Sequence, residues 1–240
     1  MESLTQSISS SPKPMQMDEI NKERRKILMQ SDDERLEIKR KEYSENSTYY
    51  LRRYGVAPKF IDCSFENFDG YKNIADSFKN YANEKPLPNL LITGKCGCGK
   101  THLAVAVLRQ LIISGRTVSM GEHGWPRENE VRFIQVPEIL LEIRRSFSGD
   151  YLPEDEIIRK YASMDFLVLD DLGAEKISDW SIATFYLILD RRYRAMRPTL
   201  ITSNLKIDEI ELTFNTRIAS RLSEGKITNL DLPDYRKKRK

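Results

Sequence analysis

Short apolar runs and longer stretches of helical spacing alternate along most of this chain. The runs at 89–93, 165–171 and 198–204 have the length of buried strands, and 131–136 adds another segment of β character. Between them, 102–113, 138–147, 154–163 and 178–196 read as helices that cover a sheet, their apolar residues three and four positions apart. Pro137 suits a first helical turn, and Gly115 a helix end. Such alternation predicts a parallel sheet with helices on both faces, a three-layer α/β fold. Residues 116–120 read as a further strand. The polar, turn-rich 121–130 after it reads as an inserted hairpin or loop, functional or simply a surface excursion.

Ahead of this core the pattern weakens. Residues 1–17, rich in Ser, Pro, Met and Gln, are expected to be disordered. Residues 18–53 are densely charged and helix-favouring, with sparse apolar positions (Ile20, Ile27, Leu28, Leu36, Ile38). They predict a helical extension that is either solvated or docked on a partner protein. Residues 54–58 break the helical pattern, 60–68 form an aromatic-rich entry, and 54–235 is the expected globular domain. The basic tail at 236–240 adds phosphate affinity or is merely disordered.

Composition narrows the picture modestly. At 240 residues, 40% hydrophobic and 31% charged, the chain suits one soluble globular core, and a net charge of +3 alone does not argue for nucleic acid. No apolar run approaches the roughly 18–20 residues of a membrane span, and the N-terminus has no apolar signal core. The three cysteines, two of them in one loop, do not make a disulfide framework, and Cys96 and Cys98 have the wrong spacing for zinc. A reducing cytoplasm is the expected compartment.

The chemistry lies at the strand ends. After the strand at 89–93 comes Gly94-Lys95-Cys96-Gly97-Cys98-Gly99-Lys100-Thr101, then a helix opening at His102. This fits the P-loop pattern in the strand–loop–helix context that it requires. Glycines let backbone N–H groups face a polyphosphate, and the helix N-terminus adds its dipole. Lys100 would reach the β- and γ-phosphates, and Thr101 would take a place on Mg²⁺. The strand at 165–171 ends in Asp170, placed to hold Mg²⁺, and Asp171, placed to orient or deprotonate an attacking water. An apolar strand ending in Asp is common; about 70 residues after a P-loop it gains meaning. Asn204 ends the next strand, where it either contacts the γ-phosphate or the water, or caps the following helix. Arg217 and Arg221 share a helical face, which is often simply solvated. ATP and Mg²⁺ are the expected ligands.

In this order the motifs resemble those of AAA+ ATPases, and more narrowly the DnaC-type replicative helicase loaders and their IstB-type transposition relatives. The resemblance runs from about residue 50 to the end and rests on 53–58, 62–68, 167–173, 190–193, 197–204, 217–222 and 234–236. It implies a sensor role for Asn204, and an arginine finger at Arg221, supported by Arg217, acting on a neighbouring subunit's nucleotide. It also implies a fold without the C-terminal helical lid, ATP hydrolysis dependent on assembly into a ring or spiral, and single-stranded DNA in its pore. The extension would grip a replicative DNA helicase. Arg144, Arg145 and Phe147 are the candidate DNA surface; the alternative is a solvated basic face with Phe147 in the core. Asp171 stands where AAA+ proteins broadly prefer Glu. Two other functions fit: a transposition helper on duplex DNA with a transposase, and a nucleotide-dependent binding module that does not hydrolyse.

Overall fold

The computed structural model describes residues 31–69, 71–121, 126–148, 152–174, 177–235 and 237. In chain order its regular elements are α1 (Asp32–Glu45), α2 (Ser47–Arg53), α3 (Lys72–Asn83), β1 (Leu90–Gly94) and α4 (Lys100–Ile113). Then come β2 (Val118–Met120), β3 (Pro126–Glu128), β4 (Val131–Gln135), α5 (Val136–Arg145) and α6 (Glu154–Ser163). The last are β5 (Phe166–Leu172), α7 (Asp179–Arg194), β6 (Thr199–Ser203), α8 (Ile207–Thr213), α9 (Thr216–Ser223) and β7 (Lys226–Leu230).

Five strands form one sheet in the order β4-β5-β6-β1-β7, with every neighbouring pair parallel. This is the three-layer α/β fold that the alternation predicts. The period of two along each strand divides the core between the two faces. Leu90, Ile92, Val168 and Leu200 pack with α3 and α4, whereas Leu91, Leu167, Leu169 and Ile201 pack with α5, α6, α7 and α9. Side-chain caps set several helix starts: Ser31 and Glu34 form a capping box on α1, and Asn215 Oδ1 accepts from Ile218 N–H at 2.9 Å on α9. Among the described residues no α-helix follows β7.

Two expectations change. Residues 116–120 do not extend the parallel sheet; β2 pairs antiparallel with β3, Met120 opposite Pro126, as a separate hairpin. The extension is not simply solvated either. Its described part, 31–53, is broken at Asn46 and packs on the chain's own α4. Tyr43, Tyr50 and Leu51 are buried there, and the Tyr43 and Tyr50 rings stack at 3.7 Å. Counting aliphatic positions alone overlooked these tyrosines, whose rings bury large apolar area. Residues 1–30 lie outside the described part, as do all of 236–240 except Lys237. The linker then covers the edge of β4, where Phe133 N–H donates to Tyr54 O at 2.7 Å.

Candidate functional site

Parallel pairing brings the C-terminal ends of β1, β5 and β6 side by side, which is where α/β sheets hold ligands. The P-loop leaves β1 at Gly94 and enters α4 through Gly99, in the left-handed region at φ 98°. A side chain at Gly99 would also strike the Phe68 ring. Lys100 is buried, and its ammonium donates to three neutral oxygens: Gly94 O at 2.8 Å, Lys95 O at 3.0 Å and Asn204 Oδ1 at 2.7 Å. Three acceptors match the three N–H donors of the ammonium.

The acidic pair divides its work by position. Asp170 is buried, and its carboxylate accepts from Thr202 Oγ1 at 2.6 Å and from Thr101 Oγ1 at 3.1 Å. Burial pushes its carboxyl above the ordinary carboxylate range, against the hydrogen bonds from Thr202 and Thr101. The β5–β6 ladder is irregular between Leu169 and Leu172, and Asp171 has φ 64°. A left-handed non-glycine residue costs about 1–2 kcal/mol. Thr202 Oγ1 takes over the Asp171 N–H at 2.9 Å, and Asn204 Nδ2 donates to Asp171 Oδ1 at 3.3 Å. Asn204 thus bridges Lys100 and Asp171 and does not cap the next helix; α8 starts from Lys206.

These residues fit a magnesium–triphosphate. The loop offers backbone N–H groups and a buried ammonium, and Thr101 with Asp170 offers two adjacent hard oxygen donors. Sequence reasoning missed Thr202, which fixes both aspartates. Three hydroxyl residues, Thr199, Thr202 and Ser203, in a five-residue buried strand were the available signal. His102, expected with the nucleotide loop, is turned to the linker. Its Nε2 lies 2.8 Å from Ser64 O, its ring meets Phe68 edge-on at 5.3 Å, and burial lowers its pKa. Lys95 and Cys96 are exposed, whereas Cys98 is buried beneath the loop.

The arginines do not join this site. Arg221 sits with Asn89 and Thr199, which precede or open β1 and β6, at the opposite end of the sheet. Its guanidinium donates twice to Asp190 Oδ1, at 2.8 and 2.6 Å, and lies over the Tyr186 and Tyr193 rings at 5.3 and 5.2 Å. The ion pair holds the Asp190 carboxyl below its ordinary value. Arg217, a turn earlier on α9, is exposed.

Arg144 and Phe147 converge on Trp180, which the sequence reading did not single out. The Arg144 guanidinium lies 5.0 Å from the indole centroid, and the Phe147 ring packs edge-on at 5.7 Å. Phe147 is 61% exposed, so it is a surface residue and not part of the core. Arg145 is exposed beside it.

Comparison with known proteins agrees with this geometry. The sequence profile of IstB-like ATP binding proteins matches residues 72–223. The replicative helicase loader DnaC of Buchnera aphidicola subsp. Baizongia pistaciae is 27% identical over 210 residues, covering 84% of this chain and 80% of that protein. DnaC of Escherichia coli K12 is 26% identical over 181 residues, 73% of this chain and 69% of that one. In three dimensions the crystal structure of the DnaC helicase loader superposes with a TM-score of 0.60 at 20% identity, over 73% of this chain and all of that one. AMPPCP-bound DnaA from Aquifex aeolicus superposes with a TM-score of 0.58 at 21% identity, over 75% of this chain and 52% of that one. The likeness in fold is that of a P-loop AAA+ domain.

Proposed function

The chain belongs to the IstB-like ATP-binding proteins, and from that premise we propose that it is an assembly-dependent ATPase that loads a replicative DNA helicase onto single-stranded DNA. The likeness to DnaC helicase loaders over most of both chains supports the loader reading. The observation that carries the ATPase reading is the bridge from Lys100 through Asn204 to Asp171, beside Thr101 and Asp170.

The P-loop N–H groups and Lys100 would hold the phosphates, and Thr101 and Asp170 would hold Mg²⁺. Bound there, Mg²⁺ neutralises charge that develops on the phosphate oxygens. Asp171 orients a water for attack on the terminal phosphorus, giving ADP and phosphate, while Asn204 turns its amide to the γ-phosphate or that water. Arg221 leaves Asp190 and reaches a neighbouring subunit's nucleotide, with Arg217 in support. A finger given in trans contributes roughly 10³–10⁵ in rate in GTPases. Its remoteness from the chain's own P-loop supports this reading and predicts self-association in a ring or spiral. Arg144, Arg145 and Phe147, with Trp180, form the surface for single-stranded DNA, cations beside stacked rings suiting phosphates and bases.

Because 31–53 packs on the chain's own core, the helicase contact is assigned to 18–30. In a pull-down, the full chain should retain a replicative helicase, and a chain beginning at residue 31 should bind ATP but lose the helicase. Retention by the shortened chain overturns that assignment. The family match also favours a second reading, a transposition helper. A clear preference for duplex over single-stranded DNA in a gel shift with ATP selects it.

A further inference from the structure

Asp170 and Asp171 are neighbours in sequence, so a regular strand would turn their side chains to opposite faces of the sheet. The packing of β5 shows that the strand is not regular there. Leu167 and Leu169 pack on one face, and Leu172, which unbroken alternation would turn away, packs on that same face. In the pairing with β6, Leu169 stands opposite Ile201 and Leu172 opposite Ser203. Asp170 and Asp171 together therefore oppose the single residue Thr202, which is the arrangement of a β-bulge. Asp171 absorbs the extra residue, with its φ of 64° in the left-handed region.

Thr202 is buried, and its one hydroxyl serves both opposed residues. It donates to Asp170 Oδ1 at 2.6 Å and accepts from Asp171 N–H at 2.9 Å. Beyond the bulge, Ser203 Oγ donates to Leu172 O at 2.7 Å. Held in this way, Asp170 meets Thr101 and Asp171 meets Asn204. A valine at 202 would fill the same space but leave Asp171 N–H without this acceptor and Asp170 without this donor. We infer that Thr202 is a positioning residue for hydrolysis: its hydroxyl holds the bulge that brings two successive carboxylates, Asp170 for Mg²⁺ and Asp171 for the attacking water, into one site. This rests on the Mg²⁺–ATP reading of that site and adds to it a residue outside the P-loop and the acidic pair.

The test compares full-length wild type with Thr202→Val, which keeps the shape and loses the hydroxyl, and Thr202→Ser, which keeps the hydroxyl. In the nucleotide-free chain, hydrogen–deuterium exchange across 166–173 should quicken about 10-fold or more in Thr202→Val, while 100–113 keeps its protection. The Mg²⁺ concentration for half-maximal binding of a fluorescent ATP analogue should rise about 10–100-fold, the usual effect of losing an outer-shell partner of a metal ligand. At saturating Mg²⁺, hydrolysis stimulated by DNA and helicase should lose about 10–100-fold in kcat, with KM for ATP within about threefold. Thr202→Ser should recover most of each loss. Wild-type exchange and Mg²⁺ dependence in Thr202→Val overturn the proposal, and so does an equal loss in Thr202→Ser, which would assign the role to the methyl group. If Thr202→Val does not fold, Thr202→Ala against Thr202→Ser makes the same comparison. A wild type that binds the analogue without hydrolysing ATP would overturn the ATPase reading instead, while exchange and Mg²⁺ dependence still decide the role of Thr202.

Discussion

Lys100 Nζ and Asn204 Oδ1 are 2.7 Å apart, which joins the first turn of α4 to the residue after β6 across 104 positions of sequence. Asn204 also donates to Asp171, so one amide contacts both the lysine proposed to bind phosphate and the acid proposed to orient the attacking water. Asn204→Ala should leave binding of a fluorescent ATP analogue within about threefold. Turnover with DNA and helicase present should fall by roughly 10²–10³, the usual effect of removing one transition-state donor. Equal loss of binding and turnover would make Asn204 a structural strut.

Asp171 is held in the left-handed region and hydrogen-bonded by Asn204. Asp171→Asn should keep nucleotide affinity and lower stimulated hydrolysis by about 10²–10⁴. Unchanged release of phosphate would favour the binding module that does not hydrolyse.

Arg221→Ala should bind ATP normally yet lose DNA- or partner-stimulated hydrolysis by about 10³. Mixing it with Asp171→Asn, which lacks the attacking-water acid but keeps its finger, should restore part of the activity. Full activity of Arg221→Ala alone would remove the finger assignment.

Burial raises the Asp170 carboxyl above its ordinary value, which fixes the sign of a pH effect. The folded chain favours the neutral acid, so this group's contribution is largest below the unfolded value of about 3.9. It is lost as pH rises through the folded value. Nucleotide-free Asp170→Asn should therefore melt higher than wild type at neutral pH, with the gap closing in acid. The same variant should lose Mg²⁺-dependent nucleotide binding. A lower melting temperature at neutral pH would contradict the cost of this buried charge.

Leu51 is fully buried against α4 although it lies in the charged extension. Leu51→Ala should reduce unfolding free energy by about 2–5 kcal/mol in a urea titration. A loss below 1 kcal/mol would mean that α2 is not part of the cooperative unit.

The sequence by itself determined the sheet, the P-loop and the acidic strand end. Their signals are local: short continuous apolar runs set the strands at 89–93, 165–171 and 198–204, and residue spacing sets the loop. It also placed Asn204 at a strand end, but left its partner open between a helix cap and a phosphate. Only tertiary structure decided that, because parallel pairing of β1, β5 and β6 sets Asn204 between Lys100 and Asp171. The contacts of Thr202, Trp180 and Asp190 were equally illegible, since each meets residues distant in sequence. The extension shows the limit most plainly. Its tyrosines look amphipathic along the chain, and only the surface offered by α4 made them core. Local pattern specifies which elements form; long-range packing specifies which side chains meet.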